Sequence, residues 1–221
     1  MIEHALDGIV LTAQTFNPSI FTETWLQKNG ILDVSKLAGA RVFSAQVVQF
    51  QTEDVQVMVV PPQLQITFSD KAADVELPRS IASRVVELLP HTPYQALGIN
   101  FTYFVSPPAG QEFIAYDRAL FGTGECALLR EFSAADARFG RYFSKDLGSA
   151  RLRLDIKPVK AGPKNADMFA FAFNFHHDLA GIEQSDRAKS LIKFIGTWNS
   201  LREYAEKLTE VGSKLGGQGR A

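Results

Sequence analysis

The pattern of apolar residues repeats once along the chain, and that repeat restricts the folds open to it. Residues 8–90 read as strand, helix, three strands and helix, and residues 94–211 as strand, helix, three or four strands and a long helix. Both halves enter their first helix by the same device. An apolar strand stops at a short polar residue followed by proline, Phe16-Asn17-Pro18 in one half and Val105-Ser106-Pro107 in the other. Asn and Ser accept a hydrogen bond from an orphan N–H of the first helical turn. Proline at the first helical position gives up only a donor that had no partner.

Strands follow from alternation with period two. Ile9, Leu11 and Ala13 share one face, as do Val55, Val57 and Val59, and Leu64, Ile66 and Phe68. In the second half Leu97, Ile99, Phe101, Tyr103 and Val105 alternate cleanly, followed by Leu152, Leu154 and Ile156, then Phe169, Phe171, Phe173 and Phe175. Residues 41–50, 126–132 and 138–145 complete the predicted strands. A short helix carries Ile20, Phe21 and Trp25, one from Pro78 carries Ile81 and Val85, and one after Pro107-Pro108 carries Phe113, Tyr116 and Leu120. From 186 to 211, apolar residues recur every three or four positions, which predicts a single long helix.

These elements predict an α+β fold. Two similar β-α-β-β-β-α halves, residues 1–92 and 93–211, form a curved antiparallel sheet with the helices packed on one face. The Gly-rich tail, 212–221, reads as disordered. The element order resembles the duplicated TATA-binding-protein-type fold. It also shares strand–helix–strands–helix logic with helix-grip proteins, which hold apolar ligands. The resemblance is one of element order, and no sequence motif of either family is present.

Seventeen Phe in 221 residues supply bulk for one large core or for two small domains sharing one. The net charge of −1 argues against a dedicated polyanion binder. It hides an asymmetry: residues 1–110 hold six Lys and Arg against ten Asp and Glu, while residues 111–221 hold seventeen against fourteen. Cys126 stands alone and cannot form an internal disulfide. Met1-Ile2-Glu3-His4 has no basic segment, and no apolar run reaches membrane-spanning length, so a soluble cytoplasmic protein is expected.

The candidates for chemistry are few. His176, His177 and Asp178 suggest a metal or a proton relay. On a continuing strand, however, the two histidines point to opposite faces, and His176 and Asp178 would need a further ligand from elsewhere. Cys126 follows Glu125, whose carboxylate disfavours a thiolate. No phosphate-binding glycine loop and no nucleophile elbow is present.

Between Arg130 and Lys164 lie nine Lys and Arg against four Asp and Glu. There, Arg151, Arg153 and Lys157 share a strand face, and Arg141 and Lys145 are expected to face them from the neighbouring strand. Such a basic sheet over 138–160 could follow a phosphate backbone. In the first half, Gln46, Gln49, Gln51, Gln56, Gln63 and Gln65 offer an uncharged polar surface, which a protein partner could cover without desolvating charge. Gln46, Gln56, Gln63 and Gln65 are the residues expected to lead that interaction face.

The favoured expectation is therefore a non-catalytic interaction or assembly module without a cofactor, its partner either a second copy or an unidentified protein. One alternative is nucleic-acid binding through the basic strands. Another is a small-molecule site between the sheet and the last helix, walled by Phe169, Phe171, Phe173, Trp198 and Tyr103, with His176 as its polar group.

Overall fold

The computed structural model describes residues 1–68, 76–123, 127–162 and 164–214. Among the described residues, nine strands form one antiparallel, curved sheet accompanied by six α-helices. In chain order the first half contains β1 (Ile2–Ala13), α1 (Glu23–Lys28), β2 (Ala38–Phe43), β3 (Val48–Gln51), β4 (Val55–Val60), β5 (Gln63–Phe68) and α2 (Glu76–Leu88). The second contains β6 (Tyr94–Val105), α3 (Phe113–Phe121), α4 (Ala127–Glu131), β7 (Arg141–Leu147), β8 (Ala150–Ala161), β9 (Ala166–Asp178), α5 (Gln184–Ile195) and α6 (Trp198–Gly212). The order across the sheet is β2-β3-β4-β5-β1-β6-β9-β8-β7, so the first strands of the two halves pair at the centre.

Alternation sorts the side chains onto two faces. Ile9, Leu11, Ile66, Ile99, Phe101, Phe173 and Phe175 all point to one side and are buried there. On that side α2 packs over β1 and β5, α5 over β6, and α6 over β6 and β9, with α2 and α5 touching each other. Phe101 meets Trp198 of α6 with ring centroids 4.8 Å apart and Phe175 of β9 at 5.9 Å. Phe169 takes the rings of Phe113, Tyr116 and Phe121 from α3. Phe68 of β5 meets the same Trp198 at 5.3 Å, so the aromatic core reaches from the second half into the first.

Several elements depart from the sequence expectation, each for a local reason. The strand expected over 41–50 is two strands, because Ser44–Val47 folds back. The Ser44 hydroxyl accepts from the N–H groups of Gln46 and Val47, and the Ser44 N–H reaches the Val47 carbonyl at 3.0 Å. The first half therefore has four strands after its helix, not three. Asn17 caps a single 3-10 turn, Pro18–Ile20, and the α-helix starts later, at a Thr22 cap.

Residues 127–131 are helical, not extended; Ala-Leu-Leu-Arg-Glu contains only strong helix formers. The strand expected at 138 starts at Arg141. The long helix over 186–211 is broken at Gly196-Thr197. There the Thr197 hydroxyl donates to the Phe194 carbonyl at 2.7 Å, and Trp198 begins a new helix against Phe68 and Phe101. Apolar spacing of three to four continues through such a break, so periodicity alone cannot see it. Gly212 closes α6, while Cys126 and residues 215–221 of the Gly-rich tail lie outside the described residues. No helix among the described residues is long and apolar enough to cross a membrane.

Candidate functional site

The side of the sheet away from the helices is open, and register aligns its side chains into rows that cross the strands. One row runs Gln51, Gln56, Thr67, Gly8, Asn100, Asn174, Arg153 and Ser144 from β3 to β7. The next runs Gln49, Met58, Gln65, Val10, Gly98, His176, Arg151 and Asp146. At the centre the Asn174 amide donates to the Asn100 amide oxygen at 2.7 Å, and Gly8 and Gly98 leave a low floor beside them. A Cβ on Gly98 would come within 3.0 Å of the Asn174 amide nitrogen, so a larger residue there would make that amide shift.

Charge on this face is confined. Across β3, β4, β5, β1, β6 and β9 the described open-face positions include no Lys or Arg, and their carboxylates, Glu3 and Asp178, sit at strand ends. Charge begins at β8. Arg151 pairs with Asp146 at 2.9 Å and Lys157 with Asp155 at 3.3 Å, while Arg153 has no acidic partner among the described residues.

The expected basic surface is divided by register. Arg141 stands opposite Ile156 and Lys145 opposite Leu152, both core-facing positions, so Arg141 and Lys145 lie on the helix side and do not face Arg151, Arg153 and Lys157. Arg141 donates to the carbonyls of Phe121 and Thr123. Lys145 donates to the Tyr204 hydroxyl. The glutamine surface is also smaller than expected. Gln56, Gln63 and Gln65 lie on the open face, but Gln46 belongs to the Ser44–Val47 turn and leaves it.

His176 and His177 do point to opposite faces. His177 is buried, with Nδ1 donating to the Ser149 carbonyl at 2.7 Å, Nε2 accepting from the Ser190 hydroxyl at 2.8 Å and its ring stacked on Phe194. Both nitrogens are thereby committed, Nε2 to holding α5 on the sheet and Nδ1 to the turn between β7 and β8. Asp178 accepts from the Ala180 N–H at 2.8 Å and caps the turn after β9. Among the described residues no three His, Cys, Asp or Glu side chains gather as a metal site.

A buried polar cluster went unseen in the sequence. The Nε2 of His4 donates to Asp7 at 2.5 Å, its Nδ1 accepts from Arg202 of α6 at 3.0 Å, and its ring lies 4.9 Å from that of Tyr103. Arg202 also pairs with Glu206 at 3.4 Å. Burial, with the Glu206 and Asp7 carboxylates close by, pushes the Tyr103 phenol well above its ordinary range. Residues three apart on a regular strand face opposite ways. Here a bulge between His4 and Leu6 turns both His4 and Asp7 inward. Asp7 is 1% exposed, so this cluster ties β1 to α6 and offers no atom to a substrate.

Phe169, Phe173, Trp198 and Tyr103, expected as pocket walls, are packed core residues, and His176 lies on the other face. Phe171 of that set lines a cavity. That cavity, about 400 Å³, opens further out, between β7, β8 and the end of α6. No known protein-family model matches the chain, and no curated protein matches it.

Proposed function

We propose that this chain is a non-catalytic interaction module that assembles with a second copy of itself through the open face of its sheet. The observation that carries this reading is the absence of Lys and Arg across six adjacent strands of the described face. A solvated antiparallel face ordinarily mixes charges among its polar residues. An amide-, threonine- and glycine-lined face can be covered without stripping water from ions.

Size and charge favour a second copy. Nine strands at about 4.8 Å spacing and roughly 20 Å length present about 800 Å², close to what each partner of a stable dimer buries. A two-fold axis along the strands lays β7–β8 of one copy over β3–β4 of the other. Arg153 and Lys157, which flank along β8 the level of the β3–β4 turn, then come within reach of the partner's Glu53 and Asp54. We also infer that the halves are copies of one unit, since β3-β4-β5-β1 and β7-β8-β9-β6 follow the same path and β2 is the addition.

Light scattering on the purified chain tests the reading. A dimer is expected at micromolar concentration. Gln65→Arg, which places a charge mid-face, should give a monomer, and Arg153→Glu should weaken the dimer most at low salt, where screening is least. A wild-type chain that is monomeric at low and at physiological salt would overturn it.

A further inference from the structure

The cavity lies on the helix side of β8, across that strand from the open face. Its floor is Leu152, Leu154 and Ile156 of β8 and Phe171 of β9. One wall is Phe121 at the end of α3, and the other is Leu208 at the end of α6. The space exists because α6 packs over β6 and β9, leaving the apolar inner face of β8 uncovered at this end. Gly212 sets how near the helix end comes: a Cβ there would lie 2.7 Å from the Phe171 ring.

The mouth has a distinct chemistry. Phe143 and Val211 stand at its rim, 49% and 61% exposed, among the few large apolar side chains that the fold leaves in water. Beside them is Lys145. Its ammonium donates to the Tyr204 hydroxyl, lies 5.1 Å from that ring, and has no carboxylate partner among the described residues. An apolar cavity gains little from water and takes an apolar guest. At about 400 Å³ it falls within the range of small-molecule sites. A cation left without an acid at the rim of such a cavity complements an anionic head.

We infer that this cavity binds a small apolar molecule ending in a carboxylate or similar anion, with the tail on Leu152, Leu154 and Phe171 and the head on Lys145 and Tyr204. The alkyl chain displaces no hydrogen-bonded water from such walls. The head exchanges part of its hydration for a charge-assisted hydrogen bond at the rim, where the ammonium remains reachable from solvent.

Calorimetric titration of the full chain with decanoate, and with decanol as the uncharged counterpart, tests the assignment. Saturable one-to-one binding of decanoate is expected, with decanol weaker. Lys145→Met should weaken decanoate about tenfold and leave decanol unchanged. Val211→Trp, at an exposed rim position, should block both without unfolding the chain, and Leu154→Trp should do the same by filling the floor. Absence of saturable decanoate binding would overturn the proposal, as would equal loss of decanoate and decanol in Lys145→Met. Binding that arises only after residues 215–221 are removed would give the cavity to the chain's own last segment, and binding that tracks dimer formation would give it to a second copy; either result also overturns it. Since Gln65 lies on the opposite face, decanoate binding by Gln65→Arg separates failure here from failure of the assembly reading.

Discussion

The two faces of the sheet are made by alternate residues of the same strands, yet they obey different rules. Toward the helices stand Ile9, Ile99, Phe101, Phe173 and Phe175, all buried, with the Phe175 ring meeting those of Phe101 and Phe173. Directly between them in sequence, and on the other face, stand Gly8, Val10, Gly98, Asn100 and Asn174. The inner set is dictated by folding: apolar area removed from water is the main force that holds helices on a sheet. The outer set is under no such demand. At the exposed positions of that face, Gln49, Gln51 and Gln56, folding alone would accept lysine and glutamate as readily as glutamine. Their uncharged character is therefore the feature that asks for an explanation outside stability, and it is why the open face carries the functional proposal.

The sharpest way to break this contrast is to truncate the inner face. Phe101→Ala removes the ring that meets both Trp198 and Phe175 and leaves a cavity where both halves join. A loss of about 3–5 kcal/mol is expected, read as a lower urea midpoint with unchanged slope. A loss under about 1 kcal/mol would mean that the Phe101 ring does not anchor α6 and β9 in the way these contacts imply.

The inner face was also the legible one. Leu97 to Val105 and Phe169 to Phe175 announce their strands by strict alternation, and the burial follows it from Ile99 to Val105 and from Phe171 to Phe175. Legibility failed where a single residue altered local geometry. The bulge at the start of β1 put His4 and Asp7 on the same side, a pairing that their spacing of three argues against. The Ser44 turn removed Gln46 from the interaction face. The register of β7 against β8 sent Arg141 and Lys145 inward, because a shift of one residue exchanges the faces of a whole strand. Net charge and residue type were visible from the outset; which surface would receive them was not. The uncharged face is only half legible: its glutamines stand out in the sequence, while Asn100, Asn174, Gly8 and Gly98 come together only through strand register.

A second test concerns polarity buried on the helix side, where the contrast predicts a penalty. Asp117 of α3 is fully buried and accepts from the Phe139 N–H at 2.9 Å. Burial raises its carboxyl above the ordinary aspartate range, and the Phe139 hydrogen bond and the charges of Arg138 and Arg118 only partly offset this. Between the unfolded value near 3.8 and the raised native value, the folded state holds the extra proton. The contribution of Asp117 to stability is thus fully present below the unfolded value and is lost as pH rises through the native one. Asp117→Asn should remove that loss, its amide oxygen still accepting from Phe139. The melting temperature of the variant minus that of the wild type is expected to climb from about pH 3 to about pH 7. A difference that stays level over that interval would show that the carboxylate ionises in the fold at no cost.

The smallest effect is expected where the contrast is purest. Gln56 stands on the open face between Gln51 and Thr67, while its sequence neighbours Val55 and Val57 are buried beneath. Gln56→Ala keeps the strand and discards only the amide, so unfolding should change by no more than about 0.5 kcal/mol. Val57→Ala, one residue on, should cost several times more. If Gln56→Ala instead destabilised the isolated chain as much as Val57→Ala does, the outer amides would be part of the folding core, and their lack of charge would need no partner to explain it. If stability holds while self-association weakens, the same side chain is dispensable to the fold and useful to the face, which is the separation that the two-sided architecture implies.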